Sequence, residues 1–314
     1  MAKLRILYMG TPAFSTTILR GLIDNGYTIV GLISQPDRPV GRKKIIEPTP
    51  TKVVALENDI PVYQVENIRH EYEFIKDINP DIIITCAYGQ IIPQAVLDIP
   101  RLGCINVHAS LLPKLRGGAP IQHAIIDGLK ETGITIMEMA AGMDSGAIYL
   151  QKATPIGDDD NLETLSNRLS EMGKDLLLEF LPLYLEGKLT KIPQDESEVS
   201  FAYNIKKEEE EIDWSKEARE VFNKIRGLYP KPGAYAILDD QIIKIYKTEI
   251  VEEKSNLKPG TINVNSRELI VSCGKGSVRI LELQPAGKKI MEISQYLNGA
   301  KALLKDKKFK VMGV

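Results

Sequence analysis

Histidine is scarce in this 314-residue chain: His70, His108 and His123 are the only three, and no two stand at an HxxxH or HxH spacing. That absence argues against a histidine-rich metal centre. Cysteine is equally sparse. Cys86, Cys104 and Cys273 lie far apart with no CxxC pair, which speaks against a disulfide framework and a structural zinc site and leaves them as small buried hydrophobes. No apolar run approaches the length needed to span a bilayer. The opening residues, MAKLRILYMG, pass from a short basic lead into an apolar strand without a small-residue cleavage site, so the expectation is a cytoplasmic protein without a secretory signal. What remains is an ordinary globular composition, 43% hydrophobic and 26% charged, at a length that ordinarily divides into two domains.

The net charge of −2 conceals an asymmetry. Residues 1–213 carry 21 Lys and Arg against 31 Asp and Glu, whereas residues 214–314 carry 19 against 11. A basic module on an acidic body suits a polyanionic partner, although a lysine-rich solvated surface has the same charge. Through the first half, apolar runs such as LRILYMG, YTIVGLIS, DIIITCAYG and GCINVHAS alternate with amphipathic segments, the pattern of βαβ units and a mostly parallel sheet. Leu162, Leu165, Leu169, Met172, Leu176 and Phe180 form one stripe at helical spacing and predict a helix over 162–185 that closes the α/β domain, 1–189. A polar, charge-dense connection follows over 190–206. In 207–314 one amphipathic helix, SKEAREVFNKIRGL, precedes short strands separated by turn residues, including Asp239 and Asp240. This reads as a small β-barrel. The acidic run Glu208–Glu211 reads as solvated and receives no function.

The chemistry concentrates in INVHASLLPKLRGGAP, residues 105–120. In a strand, Asn106 and His108 point to the same face, about 7 Å apart. A lone His beside apolar residues is ordinarily structural, but this one ends a strand of an open α/β sheet, where ligands bind. Beyond it, paired Gly117 and Gly118 and a helix beginning near Pro120 are expected to offer exposed amides to a polar group. ITIMEMAAGMDSGAIYLQ predicts two strands joined by a turn that presents Asp144 between Gly142 and Gly146. In isolation Asp144 would be a turn residue bonding its own backbone. Together the three fit acyl transfer between nitrogens: the incoming amine is its own nucleophile, so only an oxyanion donor, a base and an acid to hold that base are required. No serine or cysteine nucleophile is needed.

These residues resemble those of the formyltransferases that use 10-formyltetrahydrofolate. The likeness rests on INVHASLLPKLRG with GMDSG and extends to GTPAFS, QPDRPVGRKK, AYGQIIP and LQPAGKK, over nearly the whole chain. It implies a Rossmann-like domain without a dinucleotide, followed by an oligonucleotide-binding-type (OB) barrel that contacts tRNA. By resemblance, Asn106 bonds the formyl oxygen, His108 serves as base or proton shuttle, and Asp144 fixes its protonation and orientation. The folate site falls to Tyr88, Gly89, Gln90, Ile91 and Ile92 with Ser110, Leu111, Leu112 and Pro113. The loop from Gln35 to Pro50, with Arg38, Arg42, Lys43 and Lys44, matches an insertion that grips the tRNA acceptor end, and clustered cations there suit phosphate contacts. The implied partners are the folate co-substrate and initiator methionyl-tRNA, in support of translation initiation, with no metal, no membrane and a monomeric enzyme. Glycinamide ribonucleotide and sugar-nucleotide formyltransferases share the Asn, His and Asp core but account less well for the basic loop and module. A noncatalytic RNA-binding or folate-sensing protein would not need the intact triad.

Overall fold

The computed structural model describes residues 3–40, 44–251, 257–265 and 267–312. The chain forms two compact units, and both are discontinuous: 1–120, 131–155 and 166–203 make the first, while 121–130, 156–165 and 204–314 make the second.

The first unit is built on seven strands in the order β5-β2-β1-β6-β7-β8-β9. They are β1 Arg5–Gly10, β2 Thr28–Ser34, β5 Val62–Gln64, β6 Ile82–Cys86, β7 Cys104–His108, β8 Glu131–Glu138 and β9 Ile148–Pro155. The first five of that order run parallel, and β8 and β9 turn antiparallel at one edge. The fold is thus the expected mostly parallel, Rossmann-like sheet. Apolar runs without alternation explain the parallel part, since every residue of β6 is buried and both faces must be covered by other elements. The helices are α1 Ala13–Asp24, α2 Pro50–Glu57, α3 Phe74–Ile78 and α4 Gln94–Leu97, whereas α5 Pro120–Ile126 belongs almost wholly to the second unit and α6 Leu162–Leu185 begins there and continues from Ser166 in the first. The last occupies the predicted span. Its buried side chains include Leu165, Leu169, Leu176, Leu177, Phe180 and Leu181, with Met172 only half-buried. Within the Gln35–Pro50 loop, β3 Arg38–Val40 and β4 Ile45–Glu47 pair as a small antiparallel hairpin.

The second unit carries a curled antiparallel sheet in the order β10-β11-β14-β13-β12, with β15 paired to β14. These strands are β10 Tyr235–Leu238, β11 Gln241–Val251, β12 Ile262–Val264, β13 Leu269–Ser272, β14 Ser277–Pro285 and β15 Met291–Glu292. Leu238 pairs with Gln241, which leaves Asp239 and Asp240 as a two-residue turn with φ of 47° and 60°. Positive φ at both positions is what a tight hairpin of this twist requires, and Asp tolerates it. α7, Ala218–Gly227, and α8, Ile293–Leu304, supply Val221, Ile225 and Leu297 to a core centred on the fully buried Trp214, which stacks on Phe309 at 5.3 Å. Helix α8 was not anticipated from sequence. Ile126 packs against this core, and the buried Arg226 donates to the carbonyls of Gly157 and Asp160. The packing of Ile126 and the bonds of Arg226 explain how 121–130 and 156–165, respectively, come to belong to this unit.

Candidate active site

The end of β7 and the β8–β9 turn bring Asn106, His108 and Asp144 together. Thr85 pairs with Asn106 across the parallel β6–β7 ladder, and its hydroxyl donates to Asn106 Oδ1 at 2.9 Å. With its oxygen engaged, the Asn106 amide must turn its NH2 outward. Nδ2 lies 3.4 Å from Asp144 Oδ1. His108 is 5% exposed, and its Nε2 lies 3.0 Å from the Leu115 carbonyl oxygen. A carbonyl only accepts, so Nε2 carries a proton. Nδ1 faces Asp144 Oδ2 at 3.7 Å. Both ring nitrogens therefore meet oxygen acceptors, the arrangement an imidazolium needs while it holds a proton taken from a substrate.

Asp144 sits at φ 44°, in the left-handed region that Asp tolerates better than most residues. Its Oδ2 accepts from the Gly117 N–H at 2.8 Å, so it bonds across the site rather than to its own turn. Two glycines make this approach possible. A Cβ on Gly146 would lie 1.8 Å from the Glu138 carbonyl oxygen, and one on Gly117, already at φ 128°, would lie 2.5 Å from that of Ala202. The amides expected to be open around Gly117 are largely taken. Arg116 N–H donates to Ser200 O, Gly117 N–H to Asp144 and Ala119 N–H to Ala202 O. The segment 192–202, which reads in sequence as a slack connection, lies against the loop and takes up the amides of Arg116 and Ala119.

The Ser110–Pro113 turn is held from beneath. Thr135, opposite His108 on β8, donates to Ser110 O at 2.7 Å and accepts from Leu112 N, while Gln151 Nε2 donates to Leu112 O at 2.8 Å. Ser110 is buried with its hydroxyl bonded to Lys114 O. Leu112 packs in a small cluster with Met137 and Ile148. Of the residues the resemblance assigns to folate, Tyr88 and Ile92 are buried, and burial raises the Tyr88 hydroxyl well above its usual pKa. Gln90 is engaged with Ile68 N, Val65 O and Glu66 O. Gly89, Ile91, Leu111 and Pro113 are the members with surface to offer a ligand. In the basic loop, Arg38 pairs with Glu66 at 2.9 Å, Lys44 is exposed, and Arg42 and Lys43 fall outside the described residues.

Sequence reading missed Thr85, Leu115, Thr135, Gln151 and Gln194. Each acts through a neighbouring strand or a backbone group, and no local spacing marks such a partner. Burial pushes the Cys86 and Cys104 thiols up to about 12, so neither is held as a reactive thiolate. Among the described residues, no group of three His, Cys, Asp or Glu side chains is placed to hold a metal ion, and no helix is long and apolar enough to cross a membrane.

An amide, a buried imidazole and a carboxylate meet at the end of a parallel strand, an arrangement that fits acyl transfer. Residues 2–181 match the formyl transferase family and residues 204–301 its C-terminal domain, and the chain belongs to that family. Among curated proteins it is 50% identical over 303 residues to the methionyl-tRNA formyltransferase of Bacillus cytotoxicus, covering 95% of this chain and 96% of that one. Two solved structures show the same fold at low identity. One is an N-formyltransferase from Helicobacter canadensis in complex with folinic acid and dTDP-3-aminofucose, with TM-score 0.63, 19% identity and coverage of 89% of this chain and 98% of that one. The other is HypX from Aquifex aeolicus in complex with tetrahydrofolic acid, with TM-score 0.64, 17% identity and coverage of 94% of this chain and 47% of that one.

Proposed function

We propose that this protein transfers a formyl group from 10-formyltetrahydrofolate to the amino group of initiator methionyl-tRNA by direct acyl transfer, in support of translation initiation. The observation that carries the reading is the convergence of Asn106 and His108 on Asp144. The residues suit a neutral acyl donor. Leu112, Met137 and Ile148 give an apolar backing, and Gly89, Ile91, Leu111 and Pro113 present surface for the folate. When bound, the folate supplies an activated formyl group on nitrogen.

Asn106, its amide oriented by Thr85, donates to the formyl oxygen as negative charge develops there. The His108 and Asp144 pair takes a proton from the attacking amine and returns one to the departing folate nitrogen, so that no net proton is gained or lost. Asp144 supports the imidazolium between those two transfers. The basic segment 214–314, with 19 Lys and Arg against 11 Asp and Glu, captures the tRNA, and Arg38, Arg42, Lys43 and Lys44 grip its acceptor end. The enzyme works as a cytoplasmic monomer.

The test is formyl transfer to charged initiator tRNA, with uncharged tRNA and glycinamide ribonucleotide as controls. Product only with the charged tRNA is expected. Transfer to glycinamide ribonucleotide at comparable kcat/KM would remove the tRNA assignment.

A further inference from the structure

Residues 192–202 lie along the site as a strap, and one side chain in it joins the two loops on which the catalytic groups depend. Ile192 and Ile148 exchange backbone hydrogen bonds at 2.8 Å in both directions. Ser200 O and Ala202 N bracket Arg116 through its backbone, at 2.9 and 2.7 Å, and the Ser200 hydroxyl accepts from Leu115 N at 3.0 Å. Between these anchors, Gln194 Nε2 donates to the carbonyl of Asp144 and to that of Gly146, each at 2.7 Å. Gln194 Oε1 accepts from Arg116 Nε at 3.0 Å and from Arg116 Nη2 at 2.9 Å.

Gln194 thus spends both donors on the turn that presents Asp144 and its acceptor on the guanidinium of Arg116. Arg116 is 4% exposed and stands between Leu115, whose carbonyl holds His108, and Gly117, whose N–H holds Asp144. Its remaining hydrogen bonds go to Glu196 at 2.8 and 3.3 Å, and that guanidinium keeps the Glu196 carboxyl below the usual carboxylate range. The Asp144 backbone is in a left-handed conformation, at φ 44°, a sparsely populated region that Asp tolerates better than most residues and that hydrogen bonds from its surroundings stabilise. Two hydrogen bonds onto the carbonyls within that turn are the support this chain provides.

From this connection the geometry points to Gln194 as a positioning residue: it fixes the carboxylate of Asp144 against His108 and the Gly117 amide, and couples that turn to the loop that holds the imidazole. The inference rests on the proposed role of Asp144 and adds a residue from the connecting segment, to which the sequence pattern assigns no chemistry. It also explains why the strap is polar yet ordered. A carbonyl-facing amide with both ends occupied cannot be replaced by a carboxylate or an aliphatic group without leaving donors or acceptors unmatched.

Gln194→Ala and Gln194→Glu, each in the wild-type and the Asp144→Asn background of the full chain, test it by steady-state formyl transfer to charged initiator tRNA. In the wild-type background both variants are expected to lower kcat about 10- to 100-fold, with KM for the folate within about twofold, as for small misplacement of a reacting group. Gln194→Glu retains an acceptor for Arg116 and keeps the strap anchored, so an equal loss in both variants assigns the effect to the Asp144 turn. In the Asp144→Asn background the same changes are expected to cost less than about twofold, because a residue that acts through Asp144 has nothing left to position. Equal losses in the two backgrounds, or a Gln194→Glu enzyme with wild-type kcat, would overturn the inference and leave the site assignment standing. An Asp144→Asn enzyme with unchanged kcat would remove the role of Asp144 itself, and with it both.

Discussion

Each unit buries one arginine that ties together segments far apart in sequence, but the two arginines keep different company. Arg116, in the first unit, meets the Gln194 amide and the Glu196 carboxylate. Arg226, in the second, meets only neutral oxygens, those of Gly157, Asp160 and Asn223, with the Phe222 ring 5.1 Å away. Burial lowers the Arg226 pKa, with Asp158 opposing that shift from a distance. The contrast follows from what each segment must do. Around Arg116, hydrogen bonds run onward to His108 and Asp144, so exact placement has a chemical consequence. Around Arg226 they end on carbonyls that precede α6, and their consequence is that residues 156–165 stay with the second unit. On the proposed mechanism, one arginine serves turnover and the other serves folding.

That division makes separable predictions. Asn106→Ala is expected to lower kcat by roughly 10²- to 10³-fold while folate affinity and melting temperature hold, because the lost donor acts mainly as charge develops. A large rise in folate Kd at unchanged kcat would make Asn106 a binding residue instead. Arg226→Ala should leave three acceptors without their donor and lower unfolding stability by about 2–3 kcal/mol, read by urea denaturation, with kcat near normal at low temperature. Loss of turnover without loss of stability would erase the contrast between the arginines. For the intact protein, tRNA affinity should fall linearly in log salt, by roughly tens of fold between 50 and 200 mM if about three phosphates are neutralised. Affinity independent of salt would remove the basic unit from tRNA capture. The smallest effect concerns the thiols. Burial pushes Cys86, Cys104 and Cys273 up to about 12, so all three should resist a thiol reagent at pH 8 and react once urea unfolds the chain. Rapid labelling of the native protein would contradict their burial.

Much of this organisation is legible from the chain. The strands of both sheets follow the apolar runs, α6 spans the predicted residues, and Asp239 with Asp240 forms a hairpin turn. The meeting of Asn106 and His108 follows from strand periodicity, and that of Asp144 from its flanking glycines. The interleaving of the two units is not legible, because Ile156–Leu165 is held by an arginine more than sixty residues away and Ile121–Lys130 by the packing of Ile126 on a core built from the end of the chain. The strap is hidden for the same reason. Gln194 and Ser200 act on groups between 48 and 85 positions earlier, and a polar stretch whose partners are backbone oxygens has the composition of a loose linker. Helix α8 does carry the helical signal, with Ile293, Tyr296, Leu297, Ala300, Leu303 and Leu304 at three- and four-residue spacing, and only the low helix propensity of Gly299 and Asn298 speaks against it.

The stacked ring at the heart of the second unit has an optical consequence. Trp214 is the only tryptophan in the chain, fully buried and packed on Phe309. Its indole emission belongs to one unit, whereas far-ultraviolet dichroism sums over both. Followed together through a denaturant titration, the two signals superimpose only if the units unfold in a single step. A separation between them gives the order in which the two units come apart, without any added label.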